Sequence, residues 1–320
     1  MTWLHRYATF VAACTVLLIA AGGMVTSTGS GLAVPDWPNT YGWFMFSFPR
    51  EKWVGGIFYE HGHRLIASTV GFLTVVLALW TWRVDPRPAV RRLGFAALAM
   101  VIIQGLLGGI TVLLLLPAPV SIGHAALAQL FFCVTVTLAL VTSRGWIGEP
   151  PAPDDPTLRR LGAVTTAMVF TQMLLGATMR HTGAGLAIPD FPFAFGHVIP
   201  PYWSPRIAVN FSHRLGAILV LCAVLATVVR VWKIHRRRAE LTKPATLLLA
   251  LVCVQIALGA TVVLSGLEPA VNTAHVVNGA CVLGTALVLT LRGFRPLFGR
   301  APAPAGDRAA PAASPLGARP

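Results

Sequence analysis

Eight stretches of roughly 20 apolar residues run through this chain, near 8–26, 62–82, 93–116, 120–142, 160–179, 209–231, 244–265 and 270–291. About 20 helical residues cross the hydrocarbon of a bilayer. In lipid, only helices and closed barrels satisfy every backbone N–H and C=O. The pattern therefore predicts an all-α polytopic membrane protein with eight transmembrane helices. Charge supports this reading: 11% of the residues are charged, against about 25% in a soluble domain. Arg6 ahead of the first apolar run has the look of a cleavable signal, yet that run aligns with the fifth span inside an internal repeat. It is read as a retained helix.

The net charge of +14 would suit a nucleic-acid partner if the basic residues shared one face. They do not. Most of the 25 Lys and Arg residues lie at the N-terminus, in the 83–92, 143–160 and 230–243 loops, and in the C-terminal tail. The loops on the other side hold Arg50, Lys52, Arg180 and Arg206, while Arg64 and Arg214 stand at helix starts. This is the positive-inside asymmetry. It places both termini and the basic loops in the cytoplasm of a cell-membrane protein, and it accounts for the charge without nucleic acid. The five cysteines all fall inside apolar spans with no CxxC spacing, so they read as packing residues rather than disulfides or metal ligands.

The chain carries one passage twice. GSGLAVPDWP (Gly29–Pro38) returns about 150 residues later as GAGLAIPDFP (Gly183–Pro192). At nearly the same offset His63-Arg64 returns as His213-Arg214, His124 as His275, and Gln104–Gly108 as Gln255–Gly259. A duplicated unit of four helices has an even count, so both copies enter the membrane the same way, as parallel four-helix-bundle repeats. The expected organisation is an N-terminal repeat over 1–144, a Pro/Asp-rich linker over 145–157, a C-terminal repeat over 158–295 and a disordered Ala/Pro-rich tail over 296–320. In each repeat the first outer loop is long and aromatic, with Trp37, Trp43 and Trp53 in one and Phe191, Phe193 and Trp203 in the other. Such a loop serves either as an interfacial aromatic belt or as a lid folded over a site, and the repeated PDWP/PDFP favours a defined fold.

The four repeated histidines start the second and fourth helices of each repeat, so all sit at similar depth near the outer face. Each repeat can thus aim two imidazoles at one another across its bundle, a recognised place for a cofactor. Zinc would ask for about four ligands. Haem asks for two axial ligands on opposite faces, and imidazole is a common one. The pairs His63/His124 and His213/His275 therefore predict two haem sites, with Arg64 and Arg214 available to propionates. His5, His197 and His235 have no repeat partner and are read as solvated. His61 and His181 adjoin repeated elements and stay as secondary candidates. The copies differ at Glu60, which shares a helix face with His63 and is Asn210 in the second copy. An ionisable residue there is a functional candidate, and the alternative is a surface carboxylate paired with Arg64 or Lys52.

At GSGLAVPDWP, EHGHR, the His124 helix, GAGLAIPDFP, FSHR and the His275 helix the chain resembles the haem A synthase family, over about residues 5–292. The resemblance implies oxidation of the C8 methyl of haem O to the formyl of haem A, for terminal oxidases. It implies a stable haem b on His213 and His275. It also implies substrate haem on His63 and His124, and a required acid at Glu60. Partners implied are haem O, a haem O synthase, an electron acceptor and membrane lipid, with self-association and the partner that delivers haem O left open. Some family members carry a cysteine pair in the first outer loop. Here that stretch reads Asn39-Thr40-Tyr41, so packing must hold the loop. The chief rival reading is a two-haem cytochrome b serving quinone-linked electron transfer, which the Glu60/Asn210 asymmetry and the clustering of ligands at one face oppose. A transporter is the weaker third reading, because transport sites favour the midplane.

Overall fold

In a computed structural model, residues 3–148 and 154–298 are described. They form eight long helices: α1 (Trp3–Ser27), α2 (Gly56–Val84), α3 (Pro88–Leu113), α4 (Ala118–Val141), α6 (Pro156–His181), α7 (Pro205–Ile234), α8 (Ala239–Leu264) and α9 (Pro269–Phe294). A short helix, α5 (Arg144–Gly148), follows α4. All eight long helices are long and apolar enough to cross a membrane, and there is no named strand among the described residues. The expected linker and tail fall partly outside the described residues, at 149–153 and 299–320.

Local chemistry sets where the helices stop. At the end of α1, Gly29 takes φ +68° and the Ser30 N–H reaches back to the Val25 carbonyl; at the end of α6, Gly183 and the Ala184 N–H to Met179 repeat this. That 6→1 closure with a left-handed residue satisfies the last carbonyls, and it explains the first glycine of the repeated passage. The third span ends at Leu113 rather than at 116 as expected. Leu115 and Leu116 adopt positive φ, and the Leu116 N–H closes onto Thr111 before Pro117. At the helix starts, α7 and α9 begin with Pro at the first position after Ser204 and Glu268, whose side chains accept from Ile207 and Val271. Such capping extends these helices upstream of the apolar stretch.

Successive helices pack side by side. α1 and α4 meet to complete the first four, and α6 and α9 meet to complete the second. The halves touch through α1–α9, α4–α9 and α4–α6. One buried cluster fills each half, built around Val70, Leu77 and Leu138 in the first and around Val224, Leu248 and Leu283 in the second. A third, of Ile19, Phe132 and Ala280, lies at the seam. In lipid there is little hydrophobic force between helices, so close approach of small residues does the work. Gly162 lies on the Thr290 backbone, with a built Cβ only 3.2 Å from Thr290 Cα. At the seam, Arg180 donates to the Gly23 carbonyl (3.0 Å) and Ser27 Oγ (2.6 Å), and Ser27 meets Thr273 on α9. Gly162→Ala should separate α6 from α9 at a cost of about 1–3 kcal/mol, read as a lower unfolding temperature in detergent. Gly71→Ala, with open space around its Cβ, should show no loss.

Candidate functional site

The two long loops fold back onto the helix ends by the same device. Asp36 accepts from the N–H groups of Tyr41 (2.7 Å) and Gly42 (2.8 Å), and Asp190 accepts from Phe195 and Gly196 (both 2.8 Å). In each loop the two capped residues have positive φ and close a paired turn, Thr40 with Trp43 and Ala194 with His197. Two consecutive positive φ values define the tight primed turn of hairpins. These repeated aspartates were missed as site-building residues, although their place inside PDWP and PDFP was the available signal. Trp43, Phe193 and Trp203 still face outward. The loops thus have the defined fold of a lid and the exposed aromatics of a belt.

Arg64 and Arg214 fasten these loops. Arg64 donates to the carbonyls of Asp36 (2.7 Å), Asn39 (2.9 Å) and Val34 (2.8 Å), and to Glu60 (2.6 Å). Arg214 donates to Phe193 (2.8 Å), Ile188 (2.9 Å) and Asn210 (3.0 Å). Their donors are therefore largely engaged by the protein itself. Glu60 is buried, and its second oxygen accepts the Val34 N–H at 2.8 Å. Asn210 instead donates to the carbonyls of Ala184 (2.9 Å) and Gly185 (3.0 Å). The difference between the copies thus follows the polarity of the loop backbone each must hold: an acceptor where an N–H points in, a donor where carbonyls do. Glu60 is an ion-paired residue, as the alternative reading had it, though a buried one and with Arg64 as its partner.

The first loop needs no cysteine. Fully buried His61 meets Thr40 Oγ1 through Nδ1 at 3.1 Å and packs between Phe48 and Trp53, while the Tyr41 hydroxyl donates to the Ala33 carbonyl at 2.6 Å. Trp37 lies flat against Gly109 of α3, where a Cβ would overlap its ring. His235 departs from the solvated role expected of it. It is buried, with Nε2 2.9 Å from Asp155, which Arg230 also grips. His5 is half-buried, with Nδ1 2.8 Å from the Ala139 carbonyl. His197 is exposed, as expected.

The four paired histidines stand deeper than the apolar boundaries implied, because their helices start earlier, at Gly56, Ala118, Pro205 and Pro269. They lie roughly 9–12 Å along their helices. Each rests on a glycine of the preceding helix: His63 on Gly22, His124 on Gly108, His213 on Gly176 and His275 on Gly259, where a built Cβ would come within 3.0–3.1 Å of each ring. One turn before three of these glycines stands a glutamine. Gln104 Nε2 donates to the His124 carbonyl (3.0 Å) and approaches a ring nitrogen (3.3 Å). Gln172 does the same for His213 (2.6 and 3.1 Å), and Gln255 for His275 (3.1 and 3.2 Å). His124 and His275 each keep a buried second ring nitrogen with no partner among the described residues. The amide can only donate, so the ring nitrogen it approaches accepts and the unpartnered one carries the proton of the neutral ring; an iron there takes the other tautomer. His213 and His275 face one another with ring centroids 6.5 Å apart. Two imidazoles bound to one ion at about 2 Å each would place their centroids roughly 6 Å apart. The residues present fit a haem iron held between two imidazoles. His181 lies within electrostatic reach of His124, and Arg180 of His275.

Residues 5–287 match the COX15-CtaA family, described as cytochrome oxidase assembly protein. The chain belongs to this family. Among relatives of the COX15-CtaA chain is a protein named Heme A synthase from Symbiobacterium thermophilum, 32% identical over 78% of this chain and 81% of that protein. Proteins of the same name from Shouchella clausii and Halalkalibacterium halodurans are 30% and 28% identical, over 82% and 85% of this chain and 87% and 92% of theirs.

The N–H groups of Gly196 and Phe195 hold the Asp190 carboxyl below its usual range. Burial pushes Asp36 up, but the N–H groups of Gly42 and Tyr41 and the charge of Arg64 outweigh it, and its pKa is also lowered. Carboxyls lowered on folding stabilise fully above the unfolded value of about 4 and lose that stabilisation as pH falls through the folded value. Fluorescence of the first-loop tryptophans should therefore stay level from neutral pH to about 4 and change only in stronger acid. Asp36→Asn should abolish the acid change. A transition already complete near neutral pH would contradict the clamp.

Proposed function

We propose that this membrane chain is a haem A synthase, an oxidoreductase acting on a CH group of haem O. The observation that carries the reading is the fourfold seating of histidine on glycine, with His213 and His275 spaced for one iron. The relatives named Heme A synthase support it across most of the chain. The organisation proposed is two parallel four-helix units, 1–144 and 158–295, joined by the linker 145–157 and followed by the tail 296–320. His63 and His124 take the substrate haem in the first unit. His213 and His275 ligate a resident haem b in the second, and that group, when bound, supplies one-electron redox chemistry. The positive-inside asymmetry puts the termini in the cytoplasm of the cell membrane and the histidines toward the outer face.

The conversion takes R–CH₃ and H₂O to R–CHO, four protons and four electrons, the electrons leaving to an acceptor. The chain's own groups serve this by placement. Glu60, one turn from His63 on the same helix face, is the group proposed to take a proton or to offset developing positive charge. Arg64 and Arg214 act at the rims of the two sites, holding the loops that exclude water. Haem O enters from a haem O synthase.

Incubating the purified protein with haem O and an electron acceptor should yield haem A by chromatography; absence of conversion with a competent acceptor would refute the reading. Haem content decides between this and a two-haem cytochrome b. Pyridine haemochrome spectra should show haem b with haem O or A in the synthase, and two equivalents of haem b in the electron carrier. Changing His213 or His275 to Ala should remove haem b, while the same change at His63 or His124 should remove only haem O or A.

A further inference from the structure

The sequence offers Arg64 and Arg214 to haem propionates, yet both guanidiniums hold backbone carbonyls of their own loops. A third cation is less fully engaged. Arg180, at the C-terminal end of α6, is half-buried at the seam between the halves. By the spacing of the repeated passage its counterpart on α1 is Thr26, so only the second copy carries a charge there. Nη2 makes both of its hydrogen bonds, to the Gly23 carbonyl at 3.0 Å and to Ser27 Oγ at 2.6 Å. Nη1 and Nε make none among the described residues, and Arg180 forms no ion pair there. The outer carboxylates of the repeated elements are occupied elsewhere: Asp36 and Asp190 cap loop turns, Glu60 pairs with Arg64 and Glu268 caps α9.

A guanidinium stays charged throughout the accessible pH range. Inside a membrane protein a cation without an anion is costly, and such a residue marks a site that a partner completes. Two observations direct Arg180 to the second-half pair. Ser27, which it grips, also meets Thr273 at 3.1 Å, two residues before His275 on the same helix. His275 itself lies within electrostatic reach of Arg180, and its ring faces His213. We infer that Arg180 supplies the counter-charge for a propionate of the haem held by His213 and His275, with the N–H groups of Nη1 and Nε as donors. The inference rests on the proposed ligation by those two histidines. Charge-assisted hydrogen bonds of this kind are the strong ones. Because Nη2 remains on α1, one side chain then joins the resident haem of the second half to the first half. A lipid phosphate offers the same anionic chemistry, but the link through Ser27 to the His275 helix favours the haem.

The test compares haemin with its dimethyl ester, which keeps the iron and porphyrin and lacks the propionate charge. Both are titrated into full-length protein prepared without haem, in a His63→Ala background, so that only the second-half pair offers two imidazoles. Haemin should bind more tightly than the ester by about 10–100-fold, the range set by hydrogen bonds to a charged group. Arg180→Gln should weaken haemin by a similar factor, leave the ester unchanged and so erase the preference. Arg180→Met, of similar length and uncharged, serves where Arg180→Gln does not fold. Arg180→Lys, a cation without the planar fork, should keep part of the preference. Ser27→Ala, which loosens the seam and removes no charge, should retain it. Resonance Raman of the bound haem should show the propionate bending band shifted in Arg180→Gln, a change that a purely structural seam residue would not cause. Equal binding of haemin and ester to the folded protein, or a full preference surviving in Arg180→Gln or Arg180→Met, would overturn the inference and return Arg180 to the seam or to lipid phosphate. Protein that takes up neither porphyrin, or His213→Ala that binds haemin as before, would instead overturn the ligation itself.

Discussion

The seating of an imidazole on a glycine is the contact on which both halves depend. A side chain at Gly22, Gly108, Gly176 or Gly259 would bring a Cβ within 3.0–3.1 Å of its histidine ring, so ring or helix would have to give way by a few tenths of an ångström. Because lipid offers little hydrophobic incentive for helices to associate, such close approaches decide which faces meet. Pairing follows from them: α1 with α2, α3 with α4, α6 with α7 and α8 with α9. Each pair delivers one imidazole to the interior near the loop end, so helix packing and the placement of the site are one event.

The loops complete the arrangement through charge. Arg64 and Arg214 emerge one residue after a histidine and turn outward to gather backbone carbonyls of the repeated passage. Those carbonyls lie in a proline-containing segment that has few other donors. A guanidinium with its five N–H groups can satisfy several at once. The aspartate of the same passage then caps the turn beyond. Repetition of PDWP as PDFP is thereby a record of one folding solution used twice; Thr40, His61, Phe48 and Trp53 add a further anchor in the first copy, and Trp203 edge-on to Phe211 repeats the Trp53–His61 contact in the second.

Particular residues show how far the sequence could be read. All eight helices were legible because hydropathy over 20 residues is a one-dimensional signal, and the histidines were legible because the duplication repeats them. The helix starts were not, since Pro205 and Pro269 extend polar first turns beyond the apolar stretch. His235 was misread as solvated because its partner, Asp155, is distant in sequence and reaches it only when α6 packs on α7. Glu60 was legible as unusual and, in the alternative reading, as a partner of Arg64, but not as a buried loop clamp, because its Val34 partner is supplied by a chain reversal. The three glutamines were visible only in part: Gln104 and Gln255 recur as a repeated motif, while Gln172 aligns with Leu18 and so left no repeat to notice.

By itself, the sequence determined the membrane class, the number of spans, the recurrence of one passage and the identity of the four histidines that recur with it. Each of these is carried by composition, spacing or repetition along the chain, and needs no knowledge of what touches what. Only the tertiary structure decided that the arginines hold loops, that Glu60 and Asn210 answer opposite backbone polarities, and that one histidine lacks the amide given to the others. These depend on the direction of individual donors and acceptors, and direction is set only when helices pack and loops fold back.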